Sequence, residues 1–221
     1  IALLMGDPDF DMGTEEKNET LKMLVLAQTG EEEVLTRSAD MRGLNFKRLP
    51  GAREEVKAVR SFLGEKRTEL YTGKAALEEV LMRREAPEIL HLATHGFFLK
   101  PSRVMEDIEN RMMHLGTFRN SAFSDTGGFP KMIAGVPGLA GKMLQYENPL
   151  LRSGIALAGA NTALISGNTG ESGGILTAEK VLGLRLRGTE MAVLSACSTG
   201  LGDVRAGEGV YGLRRAFTQA G

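Results

Sequence analysis

The chain holds one cysteine in 221 residues. A single cysteine excludes an intrachain disulfide framework and any cysteine-rich zinc site, and makes a reducing, cytoplasmic compartment the default expectation. No run of 18 apolar residues occurs, so the sequence offers no membrane-spanning helix. An excess of charge of either sign is missing too: the net charge is -1 and the pI about 6.4, which gives no electrostatic footprint for nucleic acid. Internal repeats and low-complexity tracts are absent. What remains is an ordinary globular composition, 42% hydrophobic and 25% charged, in a chain long enough for a sizeable core.

Both ends read as cuts from a longer protein. The chain opens inside an apolar run, Ile1-Ala2-Leu3-Leu4-Met5, and stops just after an amphipathic pattern at Gln219-Ala220-Gly221. Between them, strand-like and helix-like segments alternate. Ile1–Met5 reads as a buried strand ending in the turn Gly6-Asp7-Pro8-Asp9. Residues 13–48 read as a polar connection with one short helix. "LPGAREEVKAVRSFLG" is a helix carrying Val56, Val59 and Leu63 on one face and stopped by Gly64. "TELYTG" is a strand, and "KAALEEVLMRRE" a helix with Leu77, Val80 and Leu81 together. Residues 100–147 form a long excursion without sustained periodicity. "SGIALAGA" (153–160) returns to a strand pattern, followed by a turn-rich hinge over 167–174. Thr177 is placed to cap "AEKVLGL". "EMAVLSA" (190–196) is another buried strand, and the last helix aligns Val210, Leu213 and Phe217. This alternation predicts an α/β fold with a mostly parallel sheet covered on both faces.

"EILHLATHGFFLK" raises the question of chemistry. His91 and His95 stand four apart, a helical spacing that suits two metal ligands. Pro87 before and Gly96 after bound a buried strand of about six residues instead. In a strand the two imidazoles share a face but lie about 13 Å apart, which removes them as a metal pair. His95 then closes one buried strand and Cys197, in "VLSACSTG", closes another. Catalytic groups of open parallel sheets gather at such C-terminal strand ends. Imidazole is the usual base for a thiol, and Ala196, Ser198 and Gly200 leave room for a substrate backbone. A plainer reading, with Cys197 a small buried hydrophobe and His95 a satisfied strand end, is not excluded by spacing.

Two nucleotide motifs fail on context. Gly207-x-Gly209-x-x-Gly212 lies about ten residues beyond the nearest strand rather than directly after it. "YTGKAAL" lacks the earlier glycine of a phosphate loop and has Ala75 where Ser or Thr is required. Asp203, Arg205 and Glu208 form a charged loop after the cysteine, with Glu208 suited to the first turn of the last helix.

"LPGAREEVKAV", "ILHLATHGFF", "PLLRSGIALAGAN", "GILTAEKVLGLRLRGTEMAVLSAC" and "TGLGDVRAGEGVYGLRRAF" together closely resemble the CHAT domain, a family of caspase-like cysteine peptidases related to separase and often joined to tetratricopeptide repeats in bacterial proteins. The resemblance covers most of the chain in the family's order. It implies a caspase-like three-layer α/β sandwich with a mostly parallel sheet, incomplete at the C-terminal end, residues 1–221 being one peptidase domain with further strands expected beyond 221. It implies a cysteine endopeptidase of a bacterial signalling or defence pathway, inactive or poorly folded as an isolated fragment. The histidine of the family's "THG" block falls on His95 and the cysteine of its "SAC" block on Cys197. Gly96 and Cys197 would supply backbone oxyanion donors, His91 would be supporting structure, and Ser198, Asp203 and Glu208 would border the substrate cleft. Ser198 departs from the glutamate common after the nucleophile. The implied partners are a protein or peptide substrate and N-terminal repeat or sensor domains, with no nucleic acid, membrane, metal or cofactor. A catalytically silent signalling or scaffold module is the alternative.

Overall fold

The sheet begins with a strand that has no exposed face. β1 (Ala2–Pro8) is buried at every position, the burial expected where helices cover a parallel strand from both sides. A computed structural model of the chain describes residues 1–24, 41, 43–99, 149–168, 173–198 and 208–221. For Pro149, Cys197, Ser198 and residues 208–211 it describes the backbone only. The excursion expected at 100–147 and the loop carrying Asp203 lie outside the described residues.

β1 pairs in parallel with β2 (Thr68–Gly73) on one side and with β3 (Ile89–Phe98) on the other. The far edge of β3 pairs in parallel with β6 (Met191–Ser198). β4 (Ser153–Ala156) and β5 (Ile175–Thr177) extend the sheet as antiparallel strands, β4 joining β3 just past the end of β1. Alternation of strands and helices gave the expectation of a mostly parallel sheet; β1, β2, β3 and β6 run parallel, whereas β4, within the strand read at 153–160, runs antiparallel, and β5 was not foreseen.

Strand alternation sorts the core. Ala2, Leu4 and Ala93 turn toward α2 (Pro50–Leu63) and pack with its buried Val56. Leu3, Met5, Leu90 and Leu92 turn the other way, toward α3 (Glu78–Arg83), α5 (Ala178–Val181) and α6 (Glu208–Ala220). Pro50 at the first turn suits its fixed φ, and Gly64, at φ +89, ends α2. Contact between α2 and β1 is close enough to require glycine. A Cβ on Gly6 would stand 2.7 Å from both the Ala52 carbonyl oxygen and Val56 Cγ2.

Several boundaries moved for identifiable reasons. β3 does not stop at Thr94: β4 pairs with Gly96, Phe97 and Phe98 and keeps the strand extended through Phe98. β1 continues through Gly6 and Asp7 to Pro8, where a turn was expected. "SGIALAGA" yields only the strand Ser153–Ala156; Gly159, at φ +84, then starts α4 (Ala160–Ser166), a helix the sequence reading did not contain. β5 was missed as well. α1 (Thr14–Met23) is the short helix expected in the polar connection. The helix read over 74–85 contracts to α3, and α5 spans one turn, with Thr177 accepting the Lys180 N–H at 3.3 Å as its cap.

A buried ion pair ties α3 to α5. Glu78 is fully buried; its carboxylate accepts from Lys180 Nζ at 2.6 Å and from the Gly174 N–H at 3.0 Å. Lys180 also donates to the Ile175 carbonyl at 2.8 Å. Burial is the largest influence on Glu78 and, despite the ammonium, pushes its carboxyl up to about 7.

Candidate active site

β3 carries His91, Ala93, His95 and Phe97 on one face, and the two histidines meet different partners. His91 Nε2 lies 2.8 Å from Glu55 Oε1 of α2. The other oxygen of Glu55 accepts from Ser195 Oγ of β6 at 3.0 Å. One carboxylate of α2 therefore ties β3 to β6 two residues before Cys197. Sequence reasoning placed His91 as support and missed Glu55, which sits beside the apolar stripe of α2 rather than in it.

His95 is 4% exposed, under the rings of Phe10 and Phe46 at centroid distances of 5.3 and 5.7 Å. Its Nε2 stands 2.7 Å from the carbonyl oxygen of Lys47. A carbonyl only accepts, so this contact places the proton of a neutral ring on Nε2 and leaves Nδ1 as the acceptor nitrogen. The partner is a backbone oxygen and has no side-chain signature in the sequence.

In the β3–β6 pair the Cα register partner of His95 is Cys197, and that of Gly96 is Ser198. Adjacent strands stand about 4.8 Å apart, so two residues 102 positions apart in sequence face each other across one ladder step. Glu208 opens α6; Asp203 is outside the described residues.

The ladder also bears on the oxyanion donors. The Leu99 N–H donates to the Arg152 carbonyl at 2.7 Å and the Met191 N–H to the Glu88 carbonyl at 3.3 Å. Polar backbone groups alternate sides along a strand. Steps of two from these bonds turn the Gly96 amide toward the Cys197 carbonyl, and the Cys197 amide toward the Thr94 carbonyl. Both amides belong to the β3–β6 ladder in this arrangement and reach an oxyanion only where that end of the ladder parts.

Asp7 anchors the approach to His95. It is buried, at φ +47, and accepts from the Leu49 N–H, from Arg48 Nε and Nη2 and from Arg53 Nε, all within 3.0 Å. Burial alone would raise its carboxyl, but the Arg48 hydrogen bond, the Leu49 amide and both guanidinium charges outweigh that and hold it below the ordinary value. Among the described residues, no group of three or more His, Cys, Asp or Glu side chains is placed to hold a metal, and no helix is long and apolar enough to cross a membrane.

An α/β sheet that aligns a buried, hydrogen-bonded imidazole with a lone cysteine on the neighbouring strand is an arrangement suited to thiol chemistry. The chain matches the family model described as CHAT domain over residues 1–221 and belongs to that family, which is a caspase-like peptidase family. No curated protein and no solved structure matches it.

Proposed function

We propose that the protein is a cysteine endopeptidase in which His95 and Cys197 form the catalytic dyad. The observation that carries this reading is their register pairing beside a Lys47 carbonyl that orients the imidazole. The Cys197 thiol gives its proton to His95 Nδ1, and the thiolate attacks the scissile carbonyl carbon. The C–N bond breaks, Nδ1–H protonates the leaving amine, and water activated by the same nitrogen hydrolyses the thioester. Opening of the ladder end on substrate binding would release the Gly96 and Cys197 amides to hold the oxyanion, with Ser198, Asp203 and Glu208 bordering the cleft. The fold is taken as the caspase-like three-layer sandwich, a view supported by helices packed on both faces of the central strands β1 and β3. The substrate is a protein or peptide, in a bacterial signalling or defence pathway, and repeat or sensor domains of the kind often joined to this family are the proposed partners.

A catalytically silent scaffold module is the second reading, favoured by the commitment of both oxyanion amides to the ladder. The lone cysteine makes the decision clean, because iodoacetamide labelling has one thiol to report. An activated Cys197 loses at least about tenfold in alkylation rate at neutral pH when His95→Ala removes the base. Cleavage of a peptide library should vanish in Cys197→Ala. Equal labelling of wild type and His95→Ala would leave the scaffold reading standing and sink the peptidase.

A further inference from the structure

The carbonyl that orients His95 belongs to residues 44–49, a stretch outside every helix and strand, so something else must fix it. Two buried side chains grip it on either side of Lys47. On one side Asn161, at the start of α4, behaves as a strand neighbour of Phe46. Its Oδ1 accepts the Phe46 N–H and its Nδ2 donates to the Phe46 carbonyl, both at 2.9 Å. The second Nδ2 hydrogen goes to Asp11 Oδ1 at 2.7 Å, which fixes the orientation of the amide, since a flipped group would set NH₂ against N–H. The Asn161 N–H itself donates to the Phe10 carbonyl at 2.9 Å. On the other side Asp7 accepts from the Leu49 amide and from both polar ends of Arg48. Asn161 and Asp7 are each 3% exposed.

We propose that Asn161 and Asp7 are positioning residues that clamp Phe46 and Arg48–Leu49, aim the Lys47 carbonyl at His95 Nε2, and so hold the imidazole in the tautomer with an acceptor Nδ1. The functional meaning rests on the peptidase reading; the clamp itself does not. The described side-chain hydrogen bonds of both residues go to partners other than the ring. Asn161 acts from 115 residues away in sequence and Asp7 from 41 and 42, so the fold, not local chain geometry, sets the carbonyl. A backbone acceptor cannot be tuned by its own side chain, which leaves its flanks as the means of aiming it. The positive φ of Asp7 fits the same picture. A non-glycine residue holds that conformation where surrounding bonds over-determine it, and here four bonds to the carboxylate and one to the carbonyl, from three residues, do so.

The test reads the His95 ring by ¹⁵N NMR on the whole chain, at a pH where the ring is neutral. Asn161→Asp keeps the acceptor for the Phe46 N–H and removes both donors; Asp7→Asn keeps the shape and removes the charge. The wild type should show a single Nε2–H tautomer. Either folded variant should shift the tautomer ratio by about tenfold, the scale of one lost hydrogen bond, while His91, held by Glu55, stays unmoved. Hydrogen exchange in the unsubstituted protein gives a second measurement that no folding defect can confuse. The Phe46 and Leu49 amides should be protected although they lie in no ladder. A single tautomer in both folded variants overturns the proposal, as does rapid exchange of those two amides in the wild type. Neither readout needs catalysis, so such a result counts against the clamp alone, whereas an unreactive Cys197 counts against the peptidase reading alone.

Discussion

Replacing Glu78 by glutamine should make the protein gain stability relative to wild type as pH rises, although the substitution removes one side of a buried ion pair. Two effects compete at this carboxyl. Lys180 Nζ at 2.6 Å favours the charged form, whereas full burial disfavours it and is the larger influence. The folded carboxyl therefore titrates at about 7 rather than at its ordinary 4.5, a difference corresponding to about 3 kcal/mol. Because the folded value is the raised one, this contribution is fully present below about 4.5 and is lost as pH climbs through about 7. Glutamine does not titrate, and Lys180 keeps its bond to the Ile175 carbonyl. Urea unfolding of both proteins at about pH 4.5 and about pH 7.5 isolates the effect, since every other titrating group is common to the two. The wild type should lose up to about 3 kcal/mol relative to the variant across that window. A flat difference would refute the burial argument. A wild type that gains with pH would show that the Lys180 attraction outweighs desolvation.

Two further outcomes follow from contacts already described. Gly6→Ala should cost about 1–3 kcal/mol, because the new methyl meets α2 backbone and not just a flexible side chain; unchanged urea midpoints would mean that α2 can move off β1. Asp7, with its lowered carboxyl, works in the acid limb. Its contribution is present above its ordinary value of 3.8 and lost as pH falls through the lower folded value. The stability gap between wild type and Asp7→Asn should accordingly narrow in acid titrations below about pH 4, and a constant gap would remove the ionic part of the clamp.

The parallel part of the sheet was legible because its strands are apolar runs bounded by turn residues; β1 and β3 are buried as read, whereas β6, also read as buried, leaves Met191 54% exposed. The runs at 1–5, 89–94 and 190–196 are nearly continuous apolar stretches, and α2 announces itself by the spacing of Val56, Val59 and Leu63. Of the antiparallel part only β4 was legible, as a strand pattern without its direction or its end. "SGIALAGAN" mixes apolar and small residues over a length that suits either a strand or a helix, and the switch occurs at Gly159, where left-handed φ lets the chain turn from β4 into α4. The length of β3 depends on β4, which arrives from 55 or more residues away, so a local reading that stopped at Gly96 had no means to continue it. At the site, His95 and Cys197 stood out as reactive side chains at strand ends. Lys47 did not, since its contribution is a carbonyl oxygen, a group every residue has. Asn161 and Asp7 act on backbone, and nothing in their spacing marks that task. Glu55 lay one position from a core residue of α2, outside the apolar spacing that marked the helix.

The 102 residues between His95 and its register partner have a consequence in time. β1, β2 and β3 all lie within the first hundred residues and can pair as soon as they leave the ribosome. β6 emerges last of the described strands and must close a loop of about a hundred residues to reach β3, at an entropic cost that grows only slowly with length. The sheet can therefore be half built, with the imidazole seated, while the thiol is still unsynthesised. A chain interrupted before Met191 would carry a base with nothing to activate, so the chemistry proposed for this fold cannot start until translation has delivered β6.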